Sequence, residues 1–254
     1  MAPISRFAAI ALFFSGVLIS AAPTPVHSRS EVFKRSRSSL ISRCNVPGTL
    51  ALTFDDGPAQ YTEELLDILK EGNAKATFFM NGQNYDSIFK YKATVLRAKN
   101  DGHQIGSHTW SHEDLTSLNR EGIKSQMRKL DDALKAIIKQ RPVYMRPPYG
   151  KTNKLVEETL AGEGYEVVLW DVDSGDSQGQ TARQSYMKYE QALKPAGEIS
   201  KPGHIFLQHD VYKTTVDTNI GFMKNAIKLA NDKGFKLVTV GECLGKPENT
   251  WYRD

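Results

Sequence analysis

The sequence predicts a single α/β domain with parallel strands at its centre and helices packed outside them. Two observations carry this expectation. Short apolar runs alternate with longer helical patterns along most of the chain, the signature of strand-helix-strand units. The 254 residues, 40% hydrophobic and 24% charged, suffice for one domain with a sizeable core. A barrel and an open doubly wound sheet both satisfy the pattern.

In chain order, strands are expected over 50–54, 76–80, 104–106, 143–146, 166–170, 204–209 and 236–240. Each is a short apolar run. Helices are expected between them, over 62–71, 87–99, 117–139, 153–163, 181–193 and 218–233.

The composition differs ahead of these elements. Arg6 precedes an apolar run over 7–19, and Ser20-Ala21-Ala22 follows with small residues suited to cleavage. That order reads as a secretory signal peptide over 1–22, its apolar run too short for a membrane span. Residues 23–42 are rich in Ser, Arg and Pro and are expected to be a flexible leader or propeptide. Lys34-Arg35 within it reads either as a dibasic processing site or as a solvated charge pair. The folded domain is then expected over 43–254, in a secreted, extracellular or cell-wall-associated protein.

The formal charge of +4 gives no case for a nucleic-acid partner. Loss of residues 1–35 would remove Arg6, Arg29, Lys34 and Arg35 against Glu31 alone, leaving +1. The end of the chain carries no apolar tail suited to a lipid anchor, so no membrane anchor is expected. A monomer is expected.

Only Cys44 and Cys243 are present. In an oxidising compartment, an even pair at the two ends of the domain reads as a disulfide, two buried thiols being the alternative. Closing so long a loop is worth about 5 kcal/mol as an upper figure. Two cysteines so far apart in sequence do not suggest a metal site.

The chemistry-bearing residues gather at the strand ends. Asp55 and Asp56 close the run Leu52-Thr53-Phe54, and Arg146, Asp171, Asp173 and His209 also fall at or just past predicted strands. In alternating α/β barrels that rim is where active sites form. His108 and His112, four residues apart, would share one face of a helical turn and could reach one divalent ion. A carboxylate from a strand end would make a three-ligand site with room for water, leaving a second aspartate for proton transfer. Taken singly, Asp-Asp-Gly-Pro is often a turn and His-x-x-x-His an exposed helical face. Together they point to metal-assisted hydrolysis.

Thr53-Phe54-Asp55-Asp56-Gly57-Pro58, His108-Thr109-Trp110-Ser111-His112, Arg146-Pro147-Pro148-Tyr149 and Leu207-Gln208-His209 resemble four of the five motifs of the polysaccharide deacetylases, carbohydrate esterase family 4 or NodB-homology domains. They occur in family order and span about residues 44–245. With the signal peptide and terminal cysteines, the chain looks most like the secreted fungal chitin deacetylases. The resemblance implies a distorted (β/α) barrel of seven or eight strands and one divalent metal ion, zinc with cobalt as an alternative.

It also implies roles. Asp56, His108 and His112 would bind the metal and Asp55 would be the general base. Arg146 would hold a catalytic carboxylate charged. Pro147 and Pro148 would stiffen the turn that presents the Tyr149 amide to an oxyanion, with the tyrosine ring lining the sugar site. His209 would be the general acid, Leu207 would lie beside the acetyl methyl, and Asp173 would orient or tune His209. The implied substrate is chitin or a chito-oligosaccharide. Deacetylation of acetylxylan or peptidoglycan, or a non-catalytic carbohydrate-binding wall protein, are the other readings. The fourth motif departs from the family pattern: Asp173-Ser174-Gly175-Asp176-Ser177 stands where Asp-x-x-Asp-Trp is usual. Trp170 or Trp110 is the candidate to replace that wall of the acetyl pocket.

Overall fold

The computed structural model describes residues 40–194, 201–217 and 221–254. The expected signal peptide, Lys34-Arg35, most of the leader and the first residues of the helix expected over 218–233 lie outside the described residues. The elements are, in order, β1 (Thr49–Asp55), α1 (Thr62–Glu71), β2 (Ala76–Met80), α2 (Lys92–Asn100), β3 (Gln104–Ser107), α3 (Arg120–Ile138), β4 (Arg141–Pro142) and β5 (Tyr144–Met145). They continue with α4 (Lys154–Gly162), β6 (Glu166–Val167), β7 (Val172–Asp173), α5 (Ala182–Ala192) and β8 (His204–His209). The chain ends through α6 (Lys213–Val216), α7 (Phe222–Asp232), β9 (Lys236–Leu237), α8 (Val240–Cys243) and β10 (Tyr252–Arg253).

Every residue of β1, β2 and β8 is buried, as expected of parallel strands covered on both faces. The parallel path runs β6-β5-β3-β2-β1-β8-β7, with β9 added beside β1. This is the expected distorted barrel in the form of a curled, open half-barrel surrounded by helices. Register does the work of convergence. Asp55 on β1 is level with His209 on β8 and Phe79 on β2, Met80 with Ser107 on β3, and Ser107 with Met145 on β5. Asp173 on β7 is level with Leu207 on β8. The ends of separated sequence segments therefore meet on one rim.

The helices follow local chemistry. α1 places Glu63 and Glu64 in its first turn and Lys70 in its last, matching the helix dipole, and buries Leu65, Leu66 and Leu69. Asn119 and Asn153 accept backbone N–H groups at the starts of α3 and α4, and Thr181 with Gln184 forms a capping box on α5. Cys44 and Cys243 are joined in a disulfide, with Cα atoms 4.9 Å apart.

Several expected boundaries move, each for a local reason. The strand expected over 236–240 stops at Leu237, because Thr239 and Glu242 form a capping box that starts α8. The run 166–170 leaves the ladder after Val167: Val168 bridges Ile41, the Leu169 amide donates to Ile41, and the chain re-enters the sheet as β7. Ladder pairing in the run 143–146 is confined to Tyr144–Met145. The helix expected from residue 87 begins only at Lys92, since Ile88 bonds back to Gly82 and holds the preceding segment as a loop. The antiparallel β4–β10 pair was not expected.

Candidate active site and metal centre

The candidate metal site rests on two turns. β1 delivers Asp55 and then Asp56, which turns into the left-handed region at φ 76. β3 delivers His108, whose amide donates to Met80 at 2.8 Å. Residues 108–112 do not form the helical turn expected of a His-x-x-x-His pair. They form an irregular loop, with Thr109 at φ 74 and His112 at φ 56. Non-glycine residues rarely occupy this region, and its strain concentrates at functional sites. Of the six non-glycine residues with positive φ among those described, Asp56, Thr109, His112 and Tyr149 belong to this rim.

These turns bring Asp56 Oδ1 to 3.5 Å from His108 Nε2 and 3.2 Å from His112 Nε2. The ligand atoms of the three residues all lie within 4.8 Å of one another. Asp56 Oδ1 is buried and has no hydrogen-bond partner, a costly state that a cation would relieve. His108 Nδ1 lies 2.7 Å from the Arg146 carbonyl, so its proton sits there and Nε2 is left as a ligand. Burial lowers the His108 pKa to about 3 and, with the neighbouring His108, that of His112 to about 4, so both imidazoles are neutral at physiological pH. Burial raises Asp56 to about 7, nearby carboxylates adding to the rise and His209 opposing it. The donor set fits a divalent ion such as zinc, which accepts imidazole and carboxylate ligands.

Asp55 sits beside this cluster with its own contacts. Its Oδ1 accepts from Arg146 Nη1 at 2.7 Å, and its Oδ2 is 3.7 Å from His108 Nε2. Arg146 is wholly buried, donating also to Thr53 Oγ1 and to the Val168 and Leu169 carbonyls. Burial raises the Asp55 pKa and Arg146 counteracts it, so the cation offsets desolvation rather than holding the carboxyl below its usual range.

Across the rim, His209 Nδ1 is 2.8 Å from Asp176 Oδ1, and its backbone amide donates to Asp176 Oδ2 at 2.8 Å. Burial alone would lower the His209 pKa. The hydrogen bond and charge of Asp176, helped by Asp55 and Asp56, carry it instead to about 9. The carboxylate expected to tune His209 was Asp173, but Asp173 accepts from the Gly175 amide and Gln178 Nε2 and faces the cleft. The reason is geometric. Asp173 is still in β7, whereas Gly175 at φ 73 turns the chain so that Asp176 reaches under β8.

The cleft, of about 670 Å³, is lined by Asp55, Asp56, His112, Leu207, His209 and Asp173 together with the rings of Tyr85, Tyr149, Trp170 and Tyr212. Trp170 and Ser177 both line the cleft. Trp110 is outside the lining: it packs against Gly82, where a Cβ would meet its ring at 2.0 Å. Pro147 is also outside it and leads into the turn that carries Tyr149 at φ 60. Asp171 is drawn away to His204 Nδ1 at 2.7 Å and Arg43 at 3.3 Å. Sequence reasoning missed Tyr85, Tyr212 and the buried Asn81 and Asp210. Asp210 directly follows His209, and its carboxylate packs on Gly57 and accepts from Thr62 Oγ1 at 2.5 Å.

The polysaccharide deacetylase family matches residues 42–168, covering both ligand-bearing turns and Arg146. The chain belongs to that family. A chitin deacetylase of Pestalotiopsis sp is 43% identical over 247 residues, 96% of this chain and 79% of the relative. A probable peptidoglycan-N-acetylglucosamine deacetylase of Arthroderma benhamiae is 46% identical over 84% of this chain, which spans only 48% of that protein. Among solved structures, the chitin deacetylase of the fungal pathogen Colletotrichum lindemuthianum aligns with a TM-score of 0.79 at 36% identity, covering 85% of this chain and 96% of that one. The alignment thus extends well beyond the isolated motifs.

Proposed function

We propose that this chain is a secreted, monomeric, zinc-dependent chitin deacetylase that hydrolyses N-acetyl groups of chitin or chito-oligosaccharides to acetate and glucosamine units. One observation carries the chemistry: Asp56, His108 and His112 converge on a common point, with Asp55 beside them and engaged by Arg146. The likeness to fungal chitin deacetylases supports the choice of substrate.

Asp56, His108 and His112 would hold the ion. When bound there, a divalent ion supplies Lewis acidity, which acidifies water and polarises an acyl carbonyl. Asp55 acts as general base and takes the proton of the attacking water, with Arg146 keeping the carboxylate available for it. The Tyr149 amide donates to the oxyanion that develops on the acetyl carbonyl. Pro147 and Pro148 stiffen the turn that presents this amide. Leu207 and Trp170 supply apolar surface for the methyl group, and the Tyr149 ring supports the sugar. His209, protonated at neutral pH and anchored through Nδ1 to Asp176, offers its Nε2 proton to the departing nitrogen.

The direct test is acetate release from chito-oligosaccharides, acetylxylan and peptidoglycan, with chelation and zinc add-back. Activity should be greatest on chito-oligosaccharides, vanish on chelation and return with zinc. Acetate release that persists after chelation would overturn the mechanism. Preference for peptidoglycan would move the substrate toward that named for the Arthroderma relative.

A further inference from the structure

Asn81 lies at the end of β2, is 1% exposed, and touches both turns that carry the three ligand residues. Its main-chain amide donates to the Gly57 carbonyl at 2.8 Å, next to Asp56. Its side-chain Nδ2 donates to the His108 carbonyl and, at 3.0 Å, to the Thr109 carbonyl. Its Oδ1 accepts from Asn84 Nδ2 at 3.1 Å, so the amide orientation is fixed by partners at both ends. Both segments hold left-handed residues, Asp56 and Thr109, which persist only where surrounding contacts determine them.

We infer that Asn81 is a positioning residue that clamps the Asp56 turn and the His108–His112 loop together, and thereby sets the affinity and geometry of the metal site. This rests on the metal-dependent reading above. Asn81 touches neither the ion's ligand atoms nor the sugar. Its effect passes through the backbone of Gly57, His108 and Thr109. An aspartate of the same shape would turn an oxygen toward two carbonyl oxygens, while alanine would leave both carbonyls without their donor.

The test compares the full chain with its Asn81→Asp and Asn81→Ala variants, and with His112→Ala as a ligand-loss control. Zinc affinity is measured by competition with a chromophoric chelator, apo-protein unfolding is followed in parallel, and the visible spectrum is recorded after cobalt substitution. Asn81→Ala should fold, bind zinc about tenfold or more weakly, as typical for groups supporting metal ligands, and show an altered cobalt spectrum. Asn81→Asp should weaken binding further. If either folded variant binds zinc with wild-type affinity and gives the wild-type cobalt spectrum, Asn81 is only a structural residue and the inference fails. If the wild-type chain shows no zinc binding that His112→Ala abolishes, the functional reading itself fails, a result separable from the first.

Discussion

Replacing Asp176 by asparagine isolates the electrostatic part of His209 function. The substitution keeps the shape and an oxygen that can still accept from the His209 amide and from Thr215 Oγ1, both now bonded to Asp176 Oδ2. It removes the charged hydrogen-bond acceptor whose hydrogen bond and charge together do most to raise His209 to about 9 against burial. With that charge gone the imidazole should titrate at or below its unperturbed value of about 6.5. A general acid works only while protonated. At pH 8 the protonated fraction would fall from about 0.9 to about 0.03, roughly a 30-fold loss, whereas at pH 6 the loss would be only about 1.3-fold. The assay is kcat for acetate release from a chito-oligosaccharide between pH 5.5 and pH 9.5, about the span of the two pKa values, at saturating zinc and with zinc content measured in parallel. The defect should open with rising pH, and zinc content should stay at the wild-type level because Asp176 is not among the ligand group. A loss of equal size at every pH would show that Asp176 only orients the ring, and would refute the assignment of a raised His209 pKa to its charge.

Two further outcomes follow from buried cations and bases. His103 is 2% exposed, and burial lowers its pKa to about 4, so its neutral form stabilises the fold. That stability is present above the unfolded value of about 6.5 and is lost as pH falls toward 4, by up to about 3 kcal/mol. Urea midpoints measured across that window should decline less steeply in His103→Gln than in the wild type, and equal slopes would exclude this histidine as the source. Arg146→Lys cannot reproduce a guanidinium that serves Asp55, Thr53 and two carbonyls together. It should cost about 3 kcal/mol in chemical denaturation and about 100-fold in kcat. A variant with wild-type stability and turnover would show that the charge alone suffices.

The clustering of Asp56, His108 and His112 was legible in the sequence because ligand chemistry depends on residue type, and few arrangements put one aspartate and two histidines near paired strand ends. The conformation that presents them was not. His108 and His112 have the spacing of a helical turn, yet the Asn81 side chain captures the His108 and Thr109 carbonyls that a helix would direct along its own axis. Asp173 was a reasonable partner for His209 by sequence position, but the choice between Asp173 and Asp176 depends on a glycine in the left-handed region. Long strands such as β1, β2 and β8 were recognised because their apolar runs match their burial. Two-residue strands such as β7 carry too short a pattern to detect, and Tyr85 and Tyr212 of the aromatic rim come from distant loops that meet through a hydroxyl contact of 2.7 Å and an edge-to-face ring contact.

The proposed base and acid are held by a different device from the proposed metal ligands. Asp55 and His209 are register partners on adjacent parallel strands, so their backbones are fixed at the interstrand spacing of about 4.8 Å by the ladder itself. Their side chains are then steered by buried partners from other segments, Arg146 just past β5 and Asp176 in the turn after β7. The proposed metal ligands sit in the 56–58 turn and the 108–112 loop beyond the ladder, where contacts of Asn81 and of the Arg146 carbonyl constrain them. Perturbing those turns should therefore weaken metal binding while leaving the alkaline limb set by His209 in place, and perturbing Asp176 should do the reverse. The two devices meet at Arg146, whose guanidinium engages Asp55 while its backbone carbonyl faces His108 Nδ1.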